Sequence, residues 1–132
     1  MKIKLDMSSS IPIYVQLRNQ IVMGIAKGEL QVGDYLPTVR QMAQDSGINV
    51  MTVNKAYSIL KSEGFIEIDR RFGAKICPRK DSSFEFREKL EEELSLIIAE
   101  SELKGIDKND FFEMCKSIYD RINIVSVKGC EV

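Results

Sequence analysis

The chain has 132 residues, 44% hydrophobic and 30% charged, which predicts a soluble globular protein with one small domain and an appendage. No apolar run approaches the roughly 18 residues of a membrane span, and no signal-peptide pattern opens the chain, so we expect a cytoplasmic protein without membrane contact. Residues 1–80 hold twelve Lys and Arg against seven Asp and Glu, while residues 81–132 hold seven against thirteen, so only the first part is expected to meet a polyanion.

The first forty residues predict a helix, a loop and the start of a second helix. Apolar residues recur at steps of four from Ile13 to Ile25, as on one face of a helix, and Gly28 ends this pattern. Residues 33–37 contain glycine, aspartate and proline and predict a loop. Thr38, followed three residues later by Gln41, forms the capping-box pattern that opens a helix.

A tight turn and a third helix follow. Gly47 suits the left-handed conformation of a helix–helix turn, and Asn49 is the expected cap of the next helix. The apolar spacing predicts four buried positions on this helix: Val53, Ala56, Tyr57 and Leu60. The opposite side is then exposed, with side chains that can contact base edges or phosphate. These side chains are Met51, Thr52, Asn54, Lys55, Ser58 and Lys61.

After the third helix the period of the apolar pattern changes from 3.6 to 2. Residues 65–69 and 74–77 alternate, which predicts two strands, and Arg70, Arg71 and Gly73 lie at the hairpin tip between them. Helices, a turn, a helix and a hairpin form the order of a winged helix-turn-helix, whose last helix enters the major groove of B-DNA. The arginines fit a wing on the DNA backbone or in the minor groove, although each exposed residue alone also fits an ordinary solvated surface.

The rest of the chain predicts a polar hinge and two amphipathic helices. The hinge covers residues 78–83, and Ser82 with Glu85 forms a capping box at the start of the first helix. The apolar stripes consist of Leu90, Leu94, Ile97 and Ile98, preceded by Phe86, on the first helix and Phe111, Cys115, Ile118 and Ile122 on the second. Two isolated helices cannot bury these stripes against each other, so we expect a second copy of the chain to cover them. Residues 123–132 show no period and are expected to fray.

Four motifs follow one another along the first half of the chain. They are PIYVQL at residues 12–17, GELQVGDYLPTVR at 28–40, GINVMTVNKAY at 47–57 and LKSEGFI at 60–66. Together they closely resemble the GntR family of bacterial transcription regulators. The short tail of two helices resembles that of the YtrA subfamily, in which these helices mediate dimerisation.

The resemblance implies DNA contacts from the second helix, the recognition helix and the wing. Arg40 is implied to hold phosphate and a guanine. The candidate DNA-contacting residues are Thr38, Arg40, Asn49, Val50, Met51, Thr52, Asn54, Lys55, Arg70, Arg71 and Gly73. Val50 and Asn54 stand where many members have arginine, and residues 72–75 depart from the family's commoner Gly-Lys-Gly-Thr wing pattern.

These patterns predict a mainly α fold with a small β-hairpin. A winged helix-turn-helix domain is expected over residues 1–80 and a helical dimerisation tail over 81–132. The predicted function is sequence-specific transcriptional regulation, repression rather than activation, by a homodimer on a two-fold symmetric operator. Two alternatives stay open: a small-molecule sensor with a pocket between wing and tail, lined by Met114, Cys115 and Tyr119, or an adaptor whose acidic tail docks a different protein.

An enzyme, a cofactor and a metal site are not expected. The chain has no histidine, the commonest general base and zinc ligand, and no nucleophile is paired with a base. Cys77, Cys115 and Cys130 are odd in number and far apart, so they predict a reducing compartment and no disulfide framework.

Overall fold

The computed structural model describes residues 3–80, 83–125, 127 and 129–130. Its elements are α1 (Ile13–Ala26), α2 (Val39–Ser46), α3 (Val50–Ser62), β1 (Ile66–Asp69), β2 (Gly73–Ile76), α4 (Phe84–Leu103) and α5 (Lys108–Ile122). This order confirms the predicted class, mainly α with one antiparallel hairpin. Within these ranges no helix combines the length and hydropathy that crossing a membrane requires.

The chain forms two compact units. The first, called the winged unit here, contains residues up to 80 together with the described residues from 125 onward. The second, the helical unit, contains residues 83–124. The sequence analysis assigned the whole of 81–132 to the tail, whereas the described residues from 125 onward group with the winged unit.

The core of the winged unit forms where the apolar faces of α1, α2 and α3 meet the hairpin. Leu17, Ile21 and Ile25 of α1 are buried, as their spacing predicted. The four predicted positions on α3, Val53, Ala56, Tyr57 and Leu60, are all buried too. Helical spacing alone was sufficient here because a row at i, i+3, i+4 and i+7 lies on one face of a helix.

Two predicted caps open α2 and α3. The Thr38 hydroxyl oxygen accepts a hydrogen bond of 3.1 Å from the Gln41 amide, and Asn49 Oδ1 accepts one of 2.7 Å from the Met51 amide. Gly47 lies between the helices at φ 68°, in the left-handed region that a side chain disfavours. The cap of α4 is Ser83, whose hydroxyl accepts from the Phe86 amide at 3.1 Å. The predicted cap, Ser82, lies outside the described residues.

The predicted loop at 33–37 is a loop in the structure, and it forms backbone hydrogen bonds with β2. The Gly33 amide donates to the Ile76 carbonyl at 2.8 Å, and the Ile76 amide donates to the Asp34 carbonyl at 2.7 Å. The Leu36 amide then donates to the Ala74 carbonyl at 2.8 Å. The segment is a loop, as predicted, but its pairing with β2 was not predicted, because about forty residues separate the pairing segments and no local pattern reports such a contact.

The prediction of unpaired cysteines was wrong for two of the three. Cys77 and Cys130 form a disulfide across a sequence separation of 53 residues, while Cys115 has none. The prediction that residues 123–132 fray is also wrong for Val125 and Cys130, whose backbone amides are hydrogen-bonded. The Val125 amide donates to the Ala26 carbonyl, and the Cys130 amide donates to the Pro78 carbonyl, each at 2.9 Å. Residues 126, 128, 131 and 132 lie outside the described part.

Tyr57 fixes α3 to the segment that precedes α2. Its hydroxyl donates a hydrogen bond of 2.8 Å to the Pro37 carbonyl. Burial raises the pKa of Tyr57, because a phenolate would be poorly solvated at this site. The hydroxyl therefore stays protonated and remains a donor.

Replacing Tyr57 by Phe keeps the ring in the core but leaves the Pro37 carbonyl without this donor. We expect the free energy of unfolding of the winged unit to fall by about 1 kcal/mol, the net value of one hydrogen bond. Urea unfolding measures the change, and Tyr119→Phe, on an exposed ring of α5, is the matched control. Equal stability of the two variants would show that this hydrogen bond does not hold α3.

Candidate nucleic-acid interface

The outer face of α3 is exposed to solvent along most of its length. Because its inner row is buried, Met51, Asn54 and Ser58 face solvent, and Met51 is 77% exposed. Val50 is also exposed, while Thr52 is half-buried. A 13-residue helix with one anchored and one open face has the shape that a DNA major groove admits.

Two of the candidate residues also shape the backbone of the motif. Thr38 and Asn49 are helix caps, so one oxygen of each is already engaged. The Thr38 hydroxyl proton and the Asn49 amide nitrogen remain as donors for a ligand. Arg40, exposed in the first turn of α2, forms no ion pair with any described residue. Its guanidinium is therefore available to phosphate or a guanine edge.

Lys55 has a partner within the fold that the sequence did not indicate. Its ammonium lies 4.0 Å from the centroid of the Tyr14 ring on α1. This distance is that of a cation–π interaction, which holds the side chain against α1. Contact between Lys55 and DNA therefore competes with this interaction.

The hairpin tip carries two arginines on a turn that hydrogen bonds to Asp69 hold in place. Arg70 and Arg71 are exposed, and Gly73 has φ 96°, a conformation that favours glycine. Asp69 holds the turn from below, since its Oδ1 accepts from the Arg71 amide at 2.8 Å and its Oδ2 from the Tyr35 hydroxyl at 3.2 Å. The hairpin tip is thus attached to residues 33–37, the segment that leads to α2.

Tyr35 and Asp69 were missed by the sequence analysis. Asp69 had a local signal, because aspartate two residues before a backbone amide commonly forms an Asx turn. Tyr35 had none, since it reaches the hairpin only through the pairing of residue 35 with Lys75. Its ring also lies 5.6 Å from that of Phe72, an exposed aromatic residue at the tip.

The hydrogen bond between Tyr35 and Asp69 affects the pKa of both side chains. The backbone amide of Arg71, followed by the Tyr35 hydroxyl and the charge of Lys75, lowers the pKa of Asp69 despite some desolvation. Desolvation and the hydrogen bond to Asp69 raise the pKa of Tyr35. At neutral pH the carboxylate is ionised and the phenol is neutral, the pairing that the hydrogen bond requires.

The candidate dimerisation residues all lie in the helical unit. Leu90, Leu94, Ile97, Ile98 and Ile118 are exposed, whereas Phe111, Cys115 and Ile122 are half-buried. A hollow of about 280 Å³ between α4 and α5 is lined mainly by Ile98, Phe111 and Phe112. Met114, Cys115 and Tyr119, suggested above for an effector site, do not line this hollow. No cluster of three potential metal ligands occurs among the residues that the structure describes.

Known proteins match both the motifs and the fold. The family of "Bacterial regulatory proteins, gntR family" matches residues 13–76. Over 118 residues the chain is 33% identical to the HTH-type transcriptional repressor YtrA of Bacillus subtilis (strain 168), covering 88% of this chain and 91% of that protein. Over 110 residues it is 33% identical to the uncharacterized HTH-type transcriptional regulator YhcF of the same organism, covering 83% and 91%.

The chain belongs to the GntR family. It is a DNA-binding transcriptional regulator of the YtrA-like subfamily, as its motifs indicated. Such regulators are a non-enzymatic class of protein. The fold of this GntR regulator is similar over its whole length to the structure of a transcriptional antiterminator from Listeria monocytogenes EGD-e. The TM-score is 0.85 at 25% identity, covering 97% of that chain.

The Asp69 carboxyl should titrate below its ordinary value of 3.8. We expect the Arg71 amide resonance to follow that titration in NMR spectra, because the amide donates to the carboxylate. A lowered pKa stabilises the folded hairpin above the unfolded-state pKa, and this contribution disappears as the pH falls through the folded-state pKa. The turn should therefore loosen only in strongly acid solution. Asp69→Asn should abolish the titration of the Arg71 amide resonance. A titration midpoint at or above 3.8 would show that the hydrogen bonds to Asp69 do not stabilise its carboxylate.

Proposed function

We propose that this GntR regulator is a cytoplasmic repressor that binds a two-fold symmetric operator as a homodimer. In each protomer α3 lies in the major groove and the wing lies on the neighbouring backbone or minor groove. The open face of α3, the exposed arginines of the wing and the similarity to the repressor YtrA support this proposal. A DNA-bound regulator acts at the chromosome, which for a bacterial protein is in the cytoplasm.

The homodimer proposal rests on one observation, which is that the apolar side chains of α4 and α5 are not buried in the single chain. Neither α4 nor α5 has a buried residue within a single chain, although both carry apolar stripes. Leu94 is 41% exposed and Ile97 is 50% exposed, each on the predicted stripe of α4. Monomers rarely leave a continuous apolar surface of this kind in water. A second copy presents the same stripes, so a two-fold interface covers both at once.

The hollow between α4 and α5 fits the same interpretation. Its exposed surface is mostly apolar, although polar residues also line it, and the lining residues are Ile98, Ser101, Glu102, Ile106, Asp107, Lys108, Phe111 and Phe112. A side chain from a partner helix fills such a space between two helices, as knobs fill holes in helical bundles. The proposed interface consists of Leu90, Leu94, Ile97, Ile98, Phe111, Cys115, Ile118 and Ile122.

Dimerisation has a direct consequence for affinity. A single winged unit makes few base and phosphate contacts, so it binds weakly alone. Joining two α3 helices at a spacing of about 34 Å, one turn of DNA, makes the second contact intramolecular. The proposed contacts in each half-site are Thr38, Arg40, Asn49, Val50, Met51, Thr52, Asn54 and Lys55, with Arg70, Arg71 and Gly73 from the wing.

Arg40→Ala tests the contact from α2. We expect a loss of about 1–3 kcal/mol in operator binding, because one guanidinium is proposed to bridge phosphate and base, with an unchanged circular dichroism spectrum. Fluorescence anisotropy measures the affinity, and Arg121→Ala, at the end of α5, is the control for loss of an arginine. Unchanged affinity of Arg40→Ala would exclude a contact between Arg40 and DNA.

The double variant Arg70→Ala, Arg71→Ala tests the wing. It should flatten the dependence of log affinity on log salt by roughly one to two units, because both arginines are proposed to contact phosphate or the minor groove.

Ile97→Glu tests the interface with one added charge. Burying an unpaired carboxylate at the two-fold contact should give a monomer by light scattering, with operator affinity reduced about a hundredfold or more. Leu96→Glu places the same charge on α4 but off the stripe, and should remain a dimer. Deleting residues 82–132 is a less specific test, since it also removes the segment that packs on the winged unit. A dimeric Ile97→Glu with full affinity would show that this stripe is not the interface.

A further inference from the structure

The disulfide attaches the end of the chain to the base of the wing. Cys77 directly follows β2 and is 1% exposed, and its amide donates to the Phe65 carbonyl at 3.1 Å. Cys130 is half-buried and is bonded to Cys77 across a Cα–Cα distance of 4.9 Å. One sulfur is therefore part of the core of the winged unit, while the other is closer to solvent.

The segment that ends in this disulfide touches the winged unit at several points. The Val125 amide bonds to the end of α1 at Ala26, and Val127 packs against the core. The space beside Gly28 is occupied by Val125, since a Cβ at residue 28 would lie 3.3 Å from Val125 Cγ2. We call the described residues of this segment, Val125, Val127, Gly129 and Cys130, the strap. The two backbone hydrogen bonds, from the Val125 and Cys130 amides, and the apolar contacts are each weak, so the covalent bond is expected to hold the strap in place.

The strap gives the helical unit two attachments instead of one. On the upstream side the chain leaves the winged unit at Arg79, whose amide donates to the Gly64 carbonyl at 2.8 Å. On the downstream side it re-enters at Val125. With both attachments in place the helical unit is an insertion in the chain between two fixed points of the winged unit.

We propose that Cys77 and Cys130 form a redox switch, in which reduction releases the strap and weakens operator binding. The proposal rests on the homodimer described above. Two attachments restrict the positions that the two α3 helices of a dimer can sample, which raises the effective concentration of the second helix at its half-site. With one attachment the same dimer samples more positions, so its affinity falls although each DNA contact is unchanged.

The chemistry is thiol–disulfide exchange with low-molecular-weight thiols. A thiolate attacks Cys130 Sγ, the sulfur of the less buried cysteine, and forms a mixed disulfide while Cys77 leaves as a thiolate and takes up a proton. A second thiol attacks the mixed disulfide, which yields the Cys130 thiol and a low-molecular-weight disulfide. Two thiols are oxidised and the protein accepts two electrons and two protons. Closure is the reverse reaction, with a low-molecular-weight disulfide as the oxidant.

Burial of Cys77 determines how the exchange proceeds. A thiolate released at a site almost without water is disfavoured, so the first step tends to reverse. A dithiol overcomes this because its second sulfur resolves the mixed disulfide intramolecularly. We therefore expect dithiothreitol to open the strap faster than the same thiol concentration of glutathione, with alkylation and mass spectrometry as the readout.

The test compares the oxidised and reduced full chain on DNA selected by the protein from a random pool. Oxidation uses oxidised glutathione, reduction uses dithiothreitol, and alkylation verifies each state. We expect the reduced chain to bind about tenfold more weakly, and Cys130→Ser to match it in both conditions. Cys115→Ser lacks the remaining cysteine but keeps the switch, so it should respond like the unmodified chain. Light scattering should show dimers throughout.

Hydrogen exchange separates failure of the switch from failure of the proposed function. The Val125 amide should be protected in the oxidised chain and exchange freely in the reduced chain and in Cys130→Ser. If no form binds DNA but protection still changes, the strap exists and the operator-binding proposal is wrong. If the disulfide does not form with oxidised glutathione, or if affinity is equal or higher after verified reduction, the switch is refuted.

Discussion

The position of α3 depends on one row of buried side chains. Val53, Ala56, Tyr57 and Leu60 face the core of the winged unit, and this alone determines which side of the helix meets solvent. A shift of the row by one position would rotate the helix by about 100° and bury the residues that now face outward. The surface proposed for base contact is therefore a consequence of core packing. Two of its residues also stabilise the fold, Asn49 as a helix cap and Lys55 through its contact with Tyr14.

A short stretch of chain connects this helix to the wing. Residues 33–36 pair with β2, the Pro37 carbonyl accepts from Tyr57, and Thr38 caps α2. Tyr35 extends the connection to the hairpin tip through Asp69. Six consecutive residues thus contact the wing, α2 and α3 in turn. The two surfaces proposed to meet DNA are thus connected by hydrogen bonds that the predicted loop makes with the wing and α3.

The features that the sequence predicted correctly are local ones. The caps at Thr38 and Asn49 involve amides two or three residues away, and the buried row of α3 follows from helical spacing. The features it missed join distant segments, such as the edge pairing of Gly33 with Ile76 and the disulfide of Cys77 with Cys130. Such contacts depend on the completed fold, and no nearby residue type encodes them. Lys55 illustrates an intermediate case, since its helix position was predictable but its contact with Tyr14 was not.

The central claim is that two α3 helices, joined by the helical units, read a symmetric site. Selection of bound fragments from random DNA by the full chain, followed by sequencing, tests this most directly. We expect an inverted repeat whose half-site centres are about 10–10.5 base pairs apart, or a multiple of that spacing, because each α3 then faces the same side of the duplex. Enrichment of a single asymmetric site, or no enrichment at all, would contradict the claim.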